Sequence, residues 1–237
     1  MVSLYEMHCE NLRMIQKAIE IVQRDLRNYI STDKKREVDA YTRLLSHLVN
    51  MWSEIRLLKL VHERSVFSDL ERDQILSIDN LKERWHEALD KSLRKAYGIS
   101  PSNPIKTTNI SATARFRYEA LETIIEQDLL ESSQVRNRIA HGQWKYAFND
   151  DYTNLNPDLT LKIQQENIVK LQMRKKLFEG LSQLVHDLAL SRPTFERDFD
   201  KNFRLVEEQQ RNLHKRNYDK YVVNMIAKYQ RGKAKKQ

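Results

Sequence analysis

Apolar residues recur at steps of three and four along almost the whole chain. Leu12, Ile15, Ile19, Val22, Leu26 and Ile30 form one stripe, the period that puts side chains on one face of an α-helix. Tyr41, Leu44, Leu48, Trp52, Ile55 and Leu58 repeat it, with Thr32 or Asp33 placed to cap the start. Ile78, Leu81, Trp85, Leu89 and Leu93 predict a third helix, which Gly98 would end. The spacing resumes through Phe116, Leu121, Ile124, Ile125 and Leu129, and again through Ile168, Leu171, Phe178, Leu181, Val185 and Leu188. Pro193 starts a sixth helix that carries Phe195, Phe199, Phe203 and Val206 and grades into the tail. Two stretches break the pattern, 99–110 and 149–158, both rich in Pro, Asn, Asp, Ser and Thr, and both read as loops.

The stripes predict an all-α fold, an antiparallel bundle of long helices over residues 1–190. A C-terminal helix and basic tail would follow over 191–237. The stripe residues are expected to be core, and Trp52, Trp85, Phe195, Phe199 and Phe203 are assigned to packing. The chain of 237 residues holds only 4 Gly and 4 Pro, too few turn formers for an all-β architecture. Its strongest apolar stretch, 44–61, is interrupted by Glu54, Arg56 and Lys59, so no membrane span is expected. The first residues carry acids early and lack a long apolar run, so no signal peptide is expected. The single cysteine, Cys9, excludes an intramolecular disulfide and any cysteine-based zinc site. A reducing, cytoplasmic setting fits that usage.

Net charge is +8, but it is unevenly placed. Residues 209–237 contain nine Lys and Arg against one acid, Asp219, which leaves 1–208 close to neutral. A basic tail on a neutral body can contact phosphates by Coulomb attraction and counterion release, without choosing a sequence. The other reading of such a tail is a solvated, solubilising end.

The chemistry concentrates at residues 136–142, Arg-Asn-Arg-Ile-Ala-His-Gly. Arg136 and His141 are separated by four residues, Asn137 follows the arginine directly, and small residues flank the histidine. This pattern resembles the catalytic signature of the HEPN family. The resemblance implies a HEPN-like bundle acting as a metal-independent, cofactor-free endoribonuclease. It also implies a homodimer that shares a composite site, with RNA as substrate and a setting in bacterial defence or toxin systems with an antitoxin or defence-system partner. In those roles a neutral His141 accepts the 2′-hydroxyl proton, or its charged form protonates the leaving oxygen. Arg136 holds the scissile phosphate, and Asn137 orients either group. Arg138, Lys145, Lys233, Lys235 and Lys236 are the expected RNA contacts. A tyrosine that a toxin subgroup carries two residues after the histidine is replaced here by Gln143.

Spacing alone leaves a second reading open. Gly142 is a good residue to follow a helix end, and cations in the last turn are favourable with the helix dipole, so Arg138 and His141 could merely close a helix. A non-catalytic RNA- or protein-binding adaptor is the functional alternative. A DNA-binding regulator ranks behind both, since no helix-turn-helix pattern is evident. Arg56 and His62 also satisfy a loose arginine–histidine spacing, but without the Asn and Ala-His-Gly context they are read as chance. His8–Cys9 and His186–Asp187 have no metal-ligand spacing and are expected at the surface. One α-helix displaces Arg136 and His141 by ~7.5 Å of rise and roughly 140° of azimuth. A second copy would therefore be needed to converge both groups on one phosphate.

Overall fold

A computed structural model describes residues 2–105 and 109–235. Among the described residues the chain is helical with no strand, and the fold class is all-α. The helices are α1 Leu4–Ser31, α2 Lys35–Val61, α3 Asp69–Leu76, α4 Leu81–Tyr97, α5 Ala112–Ile124, α6 Leu130–Ala140, α7 Pro157–Gln164, α8 Ile168–Leu190, α9 Arg192–Lys215 and α10 Tyr218–Ala234. A π-helical turn, Ile125–Leu129, joins α5 to α6 without a break. No described helix is long and apolar enough to cross a membrane.

Several ends follow from local chemistry. Gly98 at φ 65° closes α4, as its position predicts. Thr32 and Asp33 do not open α2. Thr32 Oγ1 donates back to Asn28 O, and Asp33 takes the left-handed conformation at φ 54°, so both finish α1. A short acidic side chain is among the few that tolerate that conformation. Helix α3 lies where no apolar stripe stands, and it is started by a reciprocal capping box between Ser68 and Glu71. Helix α7 begins inside the expected second loop, with Asn156 as cap and Pro157 in its first turn. The last predicted helix is two helices, because Asn217 stops the run and caps α10 by accepting from Lys220 N–H.

The chain divides into two compact units. Unit one comprises Met1–Leu12, Ser53–Ser133 and Lys176–Glu208. Its core collects Ile75, Trp85, Leu89, Leu93, Leu121, Ile125, Phe178, Leu181 and Phe195, all nearly inaccessible to solvent. Here α8 and α9 approach so closely that a Cβ on Gly180 would lie 2.5 Å from Val206 Cγ2. Only glycine fits at that crossing. Phe199 is buried with the core, and Phe203, only half-buried, stacks on it at 5.0 Å. Phe116 departs from its predicted core role, being 66% exposed on α5.

Unit two comprises Arg13–Trp52, Gln134–Lys175 and Gln209–Gln237. Ile19, Leu26, Ile30, Leu45, Val49, Trp52 and Leu171 are buried there. A smaller cluster of Val135, Ile139, Ala147 and Ile163, flanked by Leu159, sits under α6. Val135 and Ile139 are one helical turn apart and define the inward face of α6.

Candidate active site

The inward placement of Val135 and Ile139 dictates where the motif residues point. At 100° per residue, Arg136 falls beside the buried face, Asn137 opposite it and His141 on the far flank. The burial matches: Arg136 is half-buried, while Asn137 and His141 are exposed. Arg136 Nη1 donates to Asn137 Oδ1 at 3.1 Å.

His141 stands on the first residue past α6. Its N–H donates to Asn137 O at 3.2 Å, Gly142 N–H to Ile139 O at 3.1 Å and Gln143 N–H to Arg138 O at 2.9 Å. With Gly142 at φ 77° this is a Schellman closure. The segment beyond is pinned as well. Trp144 Nε1 donates to Ile139 O at 3.0 Å, and Arg43 Nε donates to Trp144 O at 3.0 Å. Gln143 is buried, and its Oε1 accepts from Phe148 N–H at 2.8 Å. Thr160 Oγ1 accepts from Ala147 N–H at 2.9 Å. The backbone that carries the His141 imidazole is thus fixed on both sides by hydrogen bonds.

Arg43, Trp144 and Thr160 carry this support and were not anticipated. Arg43 is buried, and desolvation pulls its guanidinium below the ordinary value, with Glu166 and Asp39 opposing the shift. Arg43 and Trp144 are 101 residues apart in sequence, so spacing gives no signal of their contact. Gln143 holds the loop through its side-chain oxygen.

The expected RNA contacts differ in their surroundings. Arg138 Nη2 lies 2.7 Å from Asp150 Oδ1, and that carboxylate is 97% exposed. Such a pair contributes at most about 1 kcal/mol and can exchange for a phosphate. Lys145 is exposed, with Nζ 5.4 Å from the centre of the Tyr146 ring. Lys233 lies in the last turn of α10 and Lys235 caps it, both exposed. Lys236 lies outside the described residues.

Three other histidines, His8, His62 and His186, are set differently, within unit one. Arg56 is only 9% exposed; burial lowers its pKa, while the charges of Glu63, Tyr5 and Asp187 raise it. His62 stacks on His8 with ring centres 5.0 Å apart. Burial pulls both imidazoles below the ordinary histidine value, and for His62 the neighbouring His8 and Arg72 add to it. His186 Nε2 lies 3.0 Å from Glu63 Oε2. His8 and His186 are therefore half-buried parts of a polar cluster, not free surface groups. Among the described residues no group of three His, Cys, Asp or Glu is placed to hold a metal.

The chain matches no protein-family model, no curated protein and no solved structure.

Proposed function

We propose that this protein is a metal-independent endoribonuclease with Arg136 and His141 as catalytic residues. The observation that supports it most is the exposed His141 imidazole on a rigid turn, with the Arg136 guanidinium held by Asn137 on the same helix end.

The chemistry is intramolecular transesterification. A neutral imidazole takes the 2′-hydroxyl proton, the 2′-oxygen attacks phosphorus, and the 5′-oxygen leaves with a proton from a charged imidazole. The products are a 2′,3′-cyclic phosphate and a 5′-hydroxyl. Arg136 offsets the charge that builds on the phosphoryl oxygens. In the homodimer that the HEPN resemblance implies, two copies of α6 face one cleft. The two imidazoles then divide the base and acid roles. Exposed Trp144, Tyr146, Tyr152, Leu155 and Leu161 follow the motif in unit two and are suited to be covered by a second copy. A cytoplasmic defence or toxin setting, with an antitoxin or other partner, is the biological context of this reading.

The same exposed aromatic set favours the second reading, an adaptor that binds RNA or protein without cutting. Incubating RNA with the protein in excess chelator separates the two. The nuclease reading expects cleavage that yields cyclic phosphate ends and is lost in both Arg136→Ala and His141→Ala. Binding without cleavage favours the adaptor, and cleavage that persists in both variants overturns the assignment of these residues.

A further inference from the structure

A groove of about 670 Å³ lies within unit two, between the last turns of α1 and the outer half of α10. We propose that it is a binding site for single-stranded RNA, with phosphates on Arg27, Lys228 and Lys233 and a base stacked on Tyr229. The choice of RNA rests on the ribonuclease reading. The site itself rests on charge, shape and an exposed ring.

Charge comes first. No acidic residue lines the groove, and none of the three cations takes part in an ion pair among the described residues. A second groove, about 430 Å³, lies at the first half of α10 and is lined by Asp33, Asp39 and Asp219 against one cation, Lys35. Phosphate is thus favoured toward the C-terminal end of the helix and disfavoured at its start.

The second observation is geometric. Lys228, Tyr229, Gly232 and Lys233 fall at helical offsets of one, four and five from the first, so a single face of α10 presents them to α1. Tyr229 is 45% exposed, and an aromatic ring beside cations is the arrangement that holds unpaired bases and their backbone together. Asn28 adds a polar side chain on the opposite wall.

Gly232 is the third. It sits inside a helix, where glycine is a weak former, and a Cβ there would meet nothing within 4 Å. Packing does not require it. What it keeps is open space in the wall between Lys228 and Lys233. That openness also makes it a clean position for a test.

The test uses the full chain carrying His141→Ala, so that bound RNA is not cut, and fluorescence anisotropy of a short labelled oligouridylate. Lys228→Glu and Arg27→Glu should each weaken binding about tenfold and reduce the salt slope by roughly 0.7 per cation removed. Tyr229→Ala should weaken it about fivefold or more. Gly232→Leu should close the groove and weaken binding similarly, while Gly232→Ala should leave it within twofold; matching circular dichroism spectra establish that both are folded. Affinities within twofold of the parent in all variants would overturn the proposal. So would equal competition by polyglutamate together with an inert Tyr229→Ala, which would mark the groove as a site for acidic protein segments. Cleavage by the chain with His141 intact is measured separately. Cleavage with inert groove variants rejects only the groove, whereas weakened groove variants without any cleavage reject only the nuclease.

Discussion

Arg56–His62 and Arg136–His141 pose the same local arrangement in two different settings. In each, an arginine near the C-terminal end of a helix is followed by a histidine just past it: α2 ends at Val61 and α6 at Ala140. In unit one the guanidinium is 9% exposed among Glu63, Tyr5 and Asp187, and the imidazole is stacked on His8. In unit two the arginine is half-buried and donates to Asn137, and the imidazole faces solvent. The first pair spends its charge and its ring on the protein itself. In the second the arginine is half-buried and only the imidazole is fully exposed. Burial and surroundings, more than spacing, separate the two pairs.

The largest effect that would sharpen this contrast is on stability. Arg56→Ala removes the packed stem of a side chain only 9% exposed and should cost about 3 kcal/mol, a fall in Tm of roughly 6–12 °C for a chain of this size. Arg136→Ala, on a half-buried surface position, should cost about 1 kcal/mol or less. Thermal melts of the two variants decide it, and equal falls would break the distinction.

A middle-sized effect concerns the turns. Gly142 and Gly98 both adopt left-handed conformations at helix ends, φ 77° and 65°, and a Cβ on either meets nothing within 4 Å. Alanine at either position should cost about 1 kcal/mol through backbone strain alone, or roughly 2–4 °C in Tm. Only Gly142→Ala should also slow RNA cleavage, because only that turn carries His141. A cleavage assay beside the melts would show whether the two losses part company.

The smallest effect is the pH dependence of stability. His8 and His62 are held below the ordinary value by burial. The unfolded chain therefore binds more protons at these sites, and stability falls as pH drops from about 6.5 toward their lowered values. His86 behaves oppositely. Its hydrogen bond to Glu122 raises it, so its contribution is complete below about 6.5 and is lost as pH climbs through the raised value. Melting temperatures between about pH 5 and 8 should show an acid limb that His62→Asn flattens and an alkaline limb that His86→Asn flattens.

Much of this was legible in the sequence because it is local and periodic. The stripes, the glycine ends and the motif on its helix all follow from neighbours three to five residues apart. Ser68–Glu71 and Asn156–Pro157 also announce α3 and α7 by cap chemistry, although no apolar stripe accompanies them. The π turn at Ile125–Leu129 has no such signature, and it rotates the faces that follow it. The support beneath His141 was invisible for another reason. Arg43 reaches Trp144 across 101 residues, and Gln143 and Thr160 act through backbone groups of a loop whose shape only the fold supplies. The burial of Arg56 and the stacking of His8 on His62 are likewise tertiary.

One side-by-side experiment bears most directly on the central claim. The same RNA, in chelator, is given to the unaltered chain, His141→Ala and His62→Ala, all shown to be folded. The account predicts that cleavage is lost with His141, by a factor of about 10² to 10⁴, and kept within a fewfold without His62. Full activity in His141→Ala, or its loss in folded His62→Ala alone, would contradict it.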